Sequence, residues 1–324
     1  MNPIALLAVL FLALWAPTSQ AQKTLTLGHG SAEESPRHLT AVRFAQQVAS
    51  LSKGTLKITI FPSAKAGDDA EMVTALREGR LDISANSTGP LSAVVPQYSA
   101  FGLPYLFHSL IGAWNVLEGP VGKELARLSA DQGLIVLSYW DNGFRQMTNS
   151  KRPLFGPAEL KGLKIRTPSD PMTVDFLQAL GAQPVSIKFS KLHEALKSGE
   201  VDGQENPLSN IYTGKLYEVQ KYLTFTSHMY TMTPFVISKI TWDKLDDRER
   251  GVLRAATLEA THYHRELMLK EDERQVFKLK TTGIIMNYTD SAAFLPAAEL
   301  VKEKWSHGEI GDFVKKVIAA AKQQ

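Results

Sequence analysis

The 324-residue chain contains no cysteine. That one absence excludes disulfide staples, thiolate metal sites, a cysteine nucleophile and a lipid-modified cysteine anchor. Charge of either sign is not in excess: 36 Lys and Arg face 33 Asp and Glu, a formal net charge of +3. Lys151-Arg152 is an isolated basic pair, so the clustered stripe that a nucleic-acid partner calls for is missing. Long hydrophobic runs are nearly absent too. The continuous apolar stretch Ile4 to Trp15 has twelve residues, too few to cross a bilayer. Pro17 and then Ser19-Gln20-Ala21 follow it as a small-x-small cleavage pattern, so residues 1–21 read as a secretory signal peptide, although Met1-Asn2-Pro3 brings no Lys or Arg. The mature chain is expected to begin near Gln22 and to lie outside the inner membrane, in the periplasm.

Recognisable catalytic patterns are also missing. His193-Glu194 begins a zinc-helix pattern, but the second histidine should stand where Lys197 stands. His262 and His264 are two apart and point to different sides of a helix, so they do not share a metal. Gly28-His29-Gly30 opens like a dinucleotide loop, yet Glu33 replaces its third glycine. No Gly-x-Ser-x-Gly elbow and no Walker loop occurs. The sequence therefore assigns no catalytic residue, no metal and no cofactor. A Ser-His-Asp set brought together only in space stays open as a hydrolase alternative.

What is present is an alternation of strand and helix signals from Lys23 onward, the mark of an α/β fold. Thr24 to Gly28 is a short strand. Ser35-Pro36 caps a helix carrying Ala41, Phe44, Ala45, Val48 and Leu51 and stopped by Gly54. Leu56, Ile58 and Ile60 alternate with polar residues as a half-buried strand. Asp68 and Glu71 form a capping box before a helix that Gly79 closes, and Leu81-Asp82-Ile83 begins the next strand. Pro90 to Phe107 is irregular and apolar. One helix is expected along Leu110, Trp114, Leu117, Val121, Leu125 and Leu128, then a buried strand from Leu134 to Trp140. After Pro153 the alternation restarts, with strand 163–167, helix 169–180, helix 190–198 and strand 201–205. The length favours two domains, and the restart marks the second.

Residues 246–282 hold no proline and one early glycine, Gly251. Val252, Leu253, Ala256, Ala260, Tyr263 and Leu267 share one helix face, the stretch Lys270 to Gln275 is wholly polar, and Val276 and Leu279 resume the stripe. Two readings fit. One is a single helix of roughly 55 Å that packs on one lobe, crosses a wet gap and packs on another; the other is a pair of helices breaking near Lys270.

Four motifs in order, Trp140-Asp141-Asn142-Gly143-Phe144-Arg145, Leu160-Lys161-Gly162-Leu163-Lys164-Ile165-Arg166, Val201-Asp202-Gly203-Gln204-Glu205-Asn206-Pro207 and Tyr217-Glu218-Val219-Gln220-Lys221-Tyr222, resemble the solute-binding subunits of tripartite ATP-independent periplasmic (TRAP) transporters, the dicarboxylate-binding type. Phe61-Pro62-Ser63, Gly67-Asp68-Asp69 and Gly102-Leu103-Pro104-Tyr105 extend the resemblance over nearly the whole mature chain. It implies a bilobed α/β fold with hinge strands and a long helix spanning both lobes. Lobe I would comprise 23–142 plus 232–271 and lobe II 143–231 plus 272–324, with the hinge near 142 and 232. It also implies a monomer that takes a small carboxylate and works with a membrane permease. A sensory subunit reporting the acid to a membrane receptor is the alternative.

The resemblance makes Arg166 the cation that meets the ligand carboxylate with two parallel hydrogen bonds, Arg145 a second cation, and Asn206 a donor to the same group. From the residues alone, Arg166 ends a short strand with Ser169 poised to cap the next helix, Arg145 also suits a structural bridge, and Asn206 before Pro207 suits a helix N-cap. Phe189 matches an aromatic lining the cavity. Ser87, Thr88 and His29 are candidates because each follows a strand of the first lobe. Ser190-Lys191-Leu192-His193 departs from the family's usual Ser-Glu-Val-Tyr. Ser87 and Pro90 stand where sialic-acid binders carry an acid and an arginine, which argues against that ligand. A four-carbon dicarboxylate is the family's common type, with keto, sugar and aromatic acids behind it.

Overall fold

The computed structural model describes residues 22–323; the expected signal segment 1–21 lies outside them. Strand and helix alternate from the start: β1 (Lys23–Gly28), α1 (Pro36–Leu51), β2 (Leu56–Phe61), α2 (Asp69–Arg77) and β3 (Ile83–Ala85). Next come α3 (Thr88–Ser92), a 3-10 turn at Pro96–Gly102, α4 (Leu110–Glu118), α5 (Pro120–Asp131) and the long β4 (Leu134–Asn149). The second run is β5 (Lys164–Thr167), α6 (Pro171–Ala179), β6 (Gln183–Ser186), α7 (Phe189–Ser198), β7 (Gly203–Pro207), α8 (Leu208–Thr213) and β8 (Tyr222–Phe225). Then follow β9 (Tyr230–Ser238), α9 (Lys239–Asp243), α10 (Asp247–Leu279), β10 (Ile285–Tyr288), α11 (Leu295–Ser306) and α12 (Gly311–Ala321).

Local chemistry explains most boundaries. Ser35 accepts the His38 N–H and Pro36 opens α1. The Glu71 carboxylate takes the Asp68 N–H at 2.9 Å at the start of α2. The single helix expected over 110–128 is instead two. Gly119-Pro120 divides α4 from α5, because a proline ring belongs in a first turn and not mid-helix. Gly122 is required there: a Cβ would stand 1.7 Å from the Leu117 carbonyl oxygen. The second motif's helix is capped by Asp170, whose carboxylate accepts the Thr173 N–H, and not by the expected Ser169. Asn206 is likewise no N-cap; it is a strand residue of β7 opposite Gln146.

The strands form a sheet in the order β2-β1-β3-β9-β4-β7-β5-β6, with β8 on β4 and β10 on β8. β1, β2 and β3 are parallel, as are β5, β6 and β7. Joining these two parallel groups is β4. Its residues 134–144 pair antiparallel with β9, and residues 145–149 pair with β7. Bulges interrupt β4 at Val136/Ser138 and Asp141/Gly143. Gly143 has φ 110°, a conformation side-chain-bearing residues avoid, and it sits where β4 passes from one group to the other. The bilobed α/β fold follows directly.

One apolar cluster joins β1, α1 and α10 through Leu27, Phe44, Trp140, Phe235 and Ala260, with Trp140 stacked on Phe235 at 4.1 Å between ring centroids. A second lies between α7, α8 and α10 around Leu192, Ile211, Leu223 and Leu279. The largest takes in residues of both runs, from Leu76 and Phe101 to Phe176 and Phe313. α10 is one unbroken helix, 33 residues long, in contact with α1, β4 and α8, which settles the choice left open by its pattern. Of the stretch 272–324 expected with lobe II, β10 pairs with β8 and α11 packs on α6, but α12 packs on α4, α5 and the 96–102 turn.

Candidate ligand-binding crevice

In parallel α/β units, ligands gather beyond the carboxyl ends of the strands. Here the segments after β1 (Gly30, Ser31), β3 (Ser87 to Pro90), β5 (Pro168 to Asp170) and β6 (Ile187 to Ser190), with Asn206 near the end of β7 and Asn210 of α8, face one another across a crevice. The start of α2 (Asp68 to Ala70) joins the first wall, and Asn142, Arg145 and Thr231 of the crossing strands line it as well. The space is about 970 Å³ when the open solvent at its mouth is counted in.

Arg166 projects from β5 and is 2% exposed. Its Nε donates to the Ile187 carbonyl at 2.8 Å, and the guanidinium lies 6.0 Å from the centre of the Phe189 ring. Among the described residues no carboxylate pairs with it, and no hydrogen bond engages its two terminal nitrogens. Burial pulls its pKa down to about 10, a drift that Glu205 opposes, so it stays charged at neutral pH. A buried, unpaired guanidinium with one edge fixed and the other open is arranged to receive a planar two-oxygen anion.

Arg145 also lines the crevice but is committed elsewhere. Its Nε and Nη2 form a two-point ion pair with the fully buried Glu205, Nη2 also donates to the Glu205 carbonyl at 2.7 Å, and Asn206 Oδ1 lies 3.3 Å away. Burial alone pushes the Glu205 carboxyl up, but Arg145 and His228 hold it below the ordinary range. The bridge that the residues alone suggested for Arg145 is thus present, although the guanidinium borders the crevice. Asn206 spends one amide hydrogen on Gln204 Oε1 at 2.5 Å and accepts from Asn210 at 3.0 Å.

Phe189, Ser87 and Thr88 all reach the crevice. His29 does not belong to its lining. The side chain is buried, with Nε2 3.1 Å from His38 Nδ1, and burial together with Arg37 lowers its pKa to about 3. Gly30 and Ser31, one and two residues further on, take the place expected for it. Sequence reading missed Arg37, Asp69, Asn142, Asn210 and Lys188. Arg37 carried a signal: it is the second residue of α1, and a cation at the positive end of a helix dipole is out of place unless something else holds it. Asp69 lay inside a motif that the resemblance matched.

The DctP family model, bacterial extracellular solute-binding protein family 7, matches residues 27–307. The chain belongs to the DctP family. A relative in Sinorhizobium fredii, the uncharacterized protein y4mM, is 43% identical over 300 residues, which make up 92% of this chain and 55% of that protein, so the chain spans about half of it. The sugar acid binding protein DctPAm of Advenella mimigardefordensis, solved with galactonate, superposes with a TM-score of 0.91 at 32% identity, over 94% of this chain and 99% of that one. A TRAP periplasmic solute-binding protein of Sulfurospirillum deleyianum with bound succinate gives 0.88 at 32% identity, over 93% and 99%. The DctP family consists of binding proteins of transport systems and not of enzymes. No helix among the described residues is long and apolar enough to cross a membrane.

Proposed function

We propose that this DctP-family chain is the periplasmic subunit of a TRAP transporter and holds a small organic acid by a carboxylate–Arg166 ion pair. The observation that carries this reading is the buried Arg166 guanidinium, bordered by the crevice and left without a protein acid. Phe189 and the Ile187 carbonyl fix its plane before a ligand arrives, which lowers the ordering cost of binding. Arg145, neutralised by Glu205, adds hydrogen-bond capacity without a second net charge. The two walls then close over the acid, exclude water and strengthen the charge-assisted bonds. The closed, loaded form is handed to a membrane permease, and the acid leaves unchanged. The solved relatives carry galactonate in one case and succinate in the other at equal identity, so resemblance supports a carboxylate and leaves its class open.

Arg166→Ala tests this reading. Loss of a charge pair in a desolvated site is expected to cost about 2–5 kcal/mol of binding, read by calorimetry against a panel of carboxylates on the folded variant. Undiminished affinity for the acid that the native protein binds would remove Arg166 from this role.

A further inference from the structure

Where the two walls touch, a carboxylate is sealed between them without a cation. Asp170, at the start of α6 on the second wall, is 6% exposed and borders the crevice. Its Oδ2 accepts the Thr173 N–H at 3.2 Å and the Thr173 hydroxyl at 2.6 Å, both from α6 itself. The first wall covers it with neutral groups. Ser99, in the 96–102 turn, donates to Oδ1 at 3.3 Å. Gly89 of α3 approaches so closely that a Cβ would stand 3.1 Å from the Asp170 Cβ, and a Cβ on Gly102 would stand 3.8 Å from Oδ2. Among the described residues Asp170 has no ion-pair partner. The charges that reach it are those of Arg145 and Glu205, which act in opposite senses and are paired with each other. His228, 3.6 Å from Glu205, is kept neutral at physiological pH by its own burial. Burial raises the Asp170 pKa above the ordinary 3.8, although the Thr173 hydrogen bonds oppose the shift.

Sealing an anion between neutral surfaces is costly, and a proton removes the cost. The cost belongs to the closed form alone: when the walls part, Ser99, Gly89 and Gly102 withdraw, water reaches the carboxylate, and Thr173 still caps it from its own helix. We infer that the Asp170 joint couples closure of the crevice to proton uptake, so that ligand binding draws a proton from solution and tightens as the medium becomes more acid. This rests on the walls closing over a carboxylate at Arg166 and adds the control of that step. The sign is fixed by linkage. Well above the closed-state pKa, Asp170 is ionised in both forms and closure bears the full desolvation cost. As pH falls through that value toward the ordinary carboxylate range, the closed form is protonated first and the cost is lifted. Asp170 thus acts on affinity without touching the ligand's carboxylate.

The test is calorimetry from pH 5 to 8 on the native protein, Asp170→Asn and Arg166→Ala, with whichever of galactonate, erythronate and succinate the native protein binds most tightly. Asparagine caps a helix about as well as aspartate and brings no charge to the joint. Asp170→Asn is therefore expected to bind about threefold or more tighter than the native protein at pH 8, with the advantage shrinking toward pH 5. The ligand's own titration is common to both proteins and cancels in the ratio. At pH 6 the native protein should give a heat of binding that differs between MES and bis-Tris buffers by more than that of Asp170→Asn, the excess being its proton uptake. Asp170→Ser, which keeps a capping hydroxyl, should share the flattened pH profile and serves if the asparagine variant does not fold. A merely structural role predicts weaker binding by either variant with the native pH profile kept. That result, or a ratio of affinities that does not change with pH, overturns the inference. Arg166→Ala separates the two layers: if it binds the acid as the native protein does, the carboxylate reading itself fails; if it loses the acid while native binding takes up no proton at Asp170, only the coupling falls.

Discussion

Asp141 and Glu205 are both carboxylates sealed inside the protein, yet their surroundings drive them in opposite directions. Glu205 faces a guanidinium and stays ionised; Asp141 has only dipoles within hydrogen-bond reach. Trp114 Nε1 donates to it at 2.8–2.9 Å and the Tyr230 hydroxyl at 2.7 Å, while Arg265 acts from a distance and is paired to Glu118. His264 Nε2 is 3.9 Å away and uncharged, its pKa lowered to about 3 by burial. Burial therefore wins and raises the Asp141 pKa from 3.8 to about 6. The sign follows. Between those values the folded protein binds a proton that the unfolded chain has released, so stability falls as pH rises through about 4 to 6. At neutral pH the penalty is on the order of 3 kcal/mol. Asp141→Asn is expected to remove it: relative to this variant, the native protein should gain melting temperature as pH drops from 7 to 5. Parallel melting curves across that range would refute the assignment. At this scale position was legible where a motif carried it: Arg166, Asn206 and Phe189 line the crevice. The sequence misled at His29, since a residue following a strand turns either into the crevice or behind it, and only the backbone decides which.

Elements were legible where a local rule dictated them. Ser35-Pro36 started α1, Asp68 with Glu71 started α2, and Gly199 stopped α7, in the left-handed conformation with φ 77°. β4 was readable to Trp140 and then lost, because residues 141–149 are largely polar and buried only by partners distant in sequence. Its passage between the two strand groups is pinned by hydrogen bonds that no pattern announces. The Asp141 N–H donates to His264 Nε2 at 2.9 Å, so the proton of this neutral ring is on Nδ1, which donates to Thr40 Oγ1 at 2.8 Å; the Thr40 hydroxyl in turn donates to the Pro36 carbonyl at 2.7 Å. Thus α1 and α10 hold the bend of β4. The mouth of the crevice is held differently. Lys188, just before α7, pairs with Glu71 at 2.8 Å and Asp68 at 3.4 Å at the start of α2, bridging the two walls. An exposed pair of this kind is weak, screened by salt, and present only while the walls are together. Lys188→Ala is expected to weaken ligand binding by about two- to five-fold at low salt, through faster dissociation, with the difference shrinking as salt rises. An effect independent of ionic strength would exclude an electrostatic latch.

For the molecule as a whole, the described conformation is one in which the walls meet. Ser99 donates to Asp170 at 3.3 Å, Gly89 lies so close to the Ser169 carbonyl that a Cβ would stand 3.1 Å from it, and Lys188 spans the mouth. None of these contacts is strong enough alone to hold two lobes together against the repulsion and desolvation of a crevice carrying the unpaired Arg166. In the proposed clamp a carboxylate there changes the balance by neutralising that buried charge; a ligand shifts such an equilibrium by its extra affinity for the closed form and by no more. Gly143, with φ 110°, stands where β4 passes from one strand group to the other, and α10 is in contact with α1 and α8. Small-angle scattering tests this account. The free protein is expected to have a larger radius of gyration than this structure, and a bound carboxylate should bring the curve to the one calculated from it. Arg166→Ala should stay extended at the same ligand concentration. Scattering unchanged by an acid whose binding calorimetry has established would mean that the crevice fills without the lobes moving, and the clamp would have to be given up.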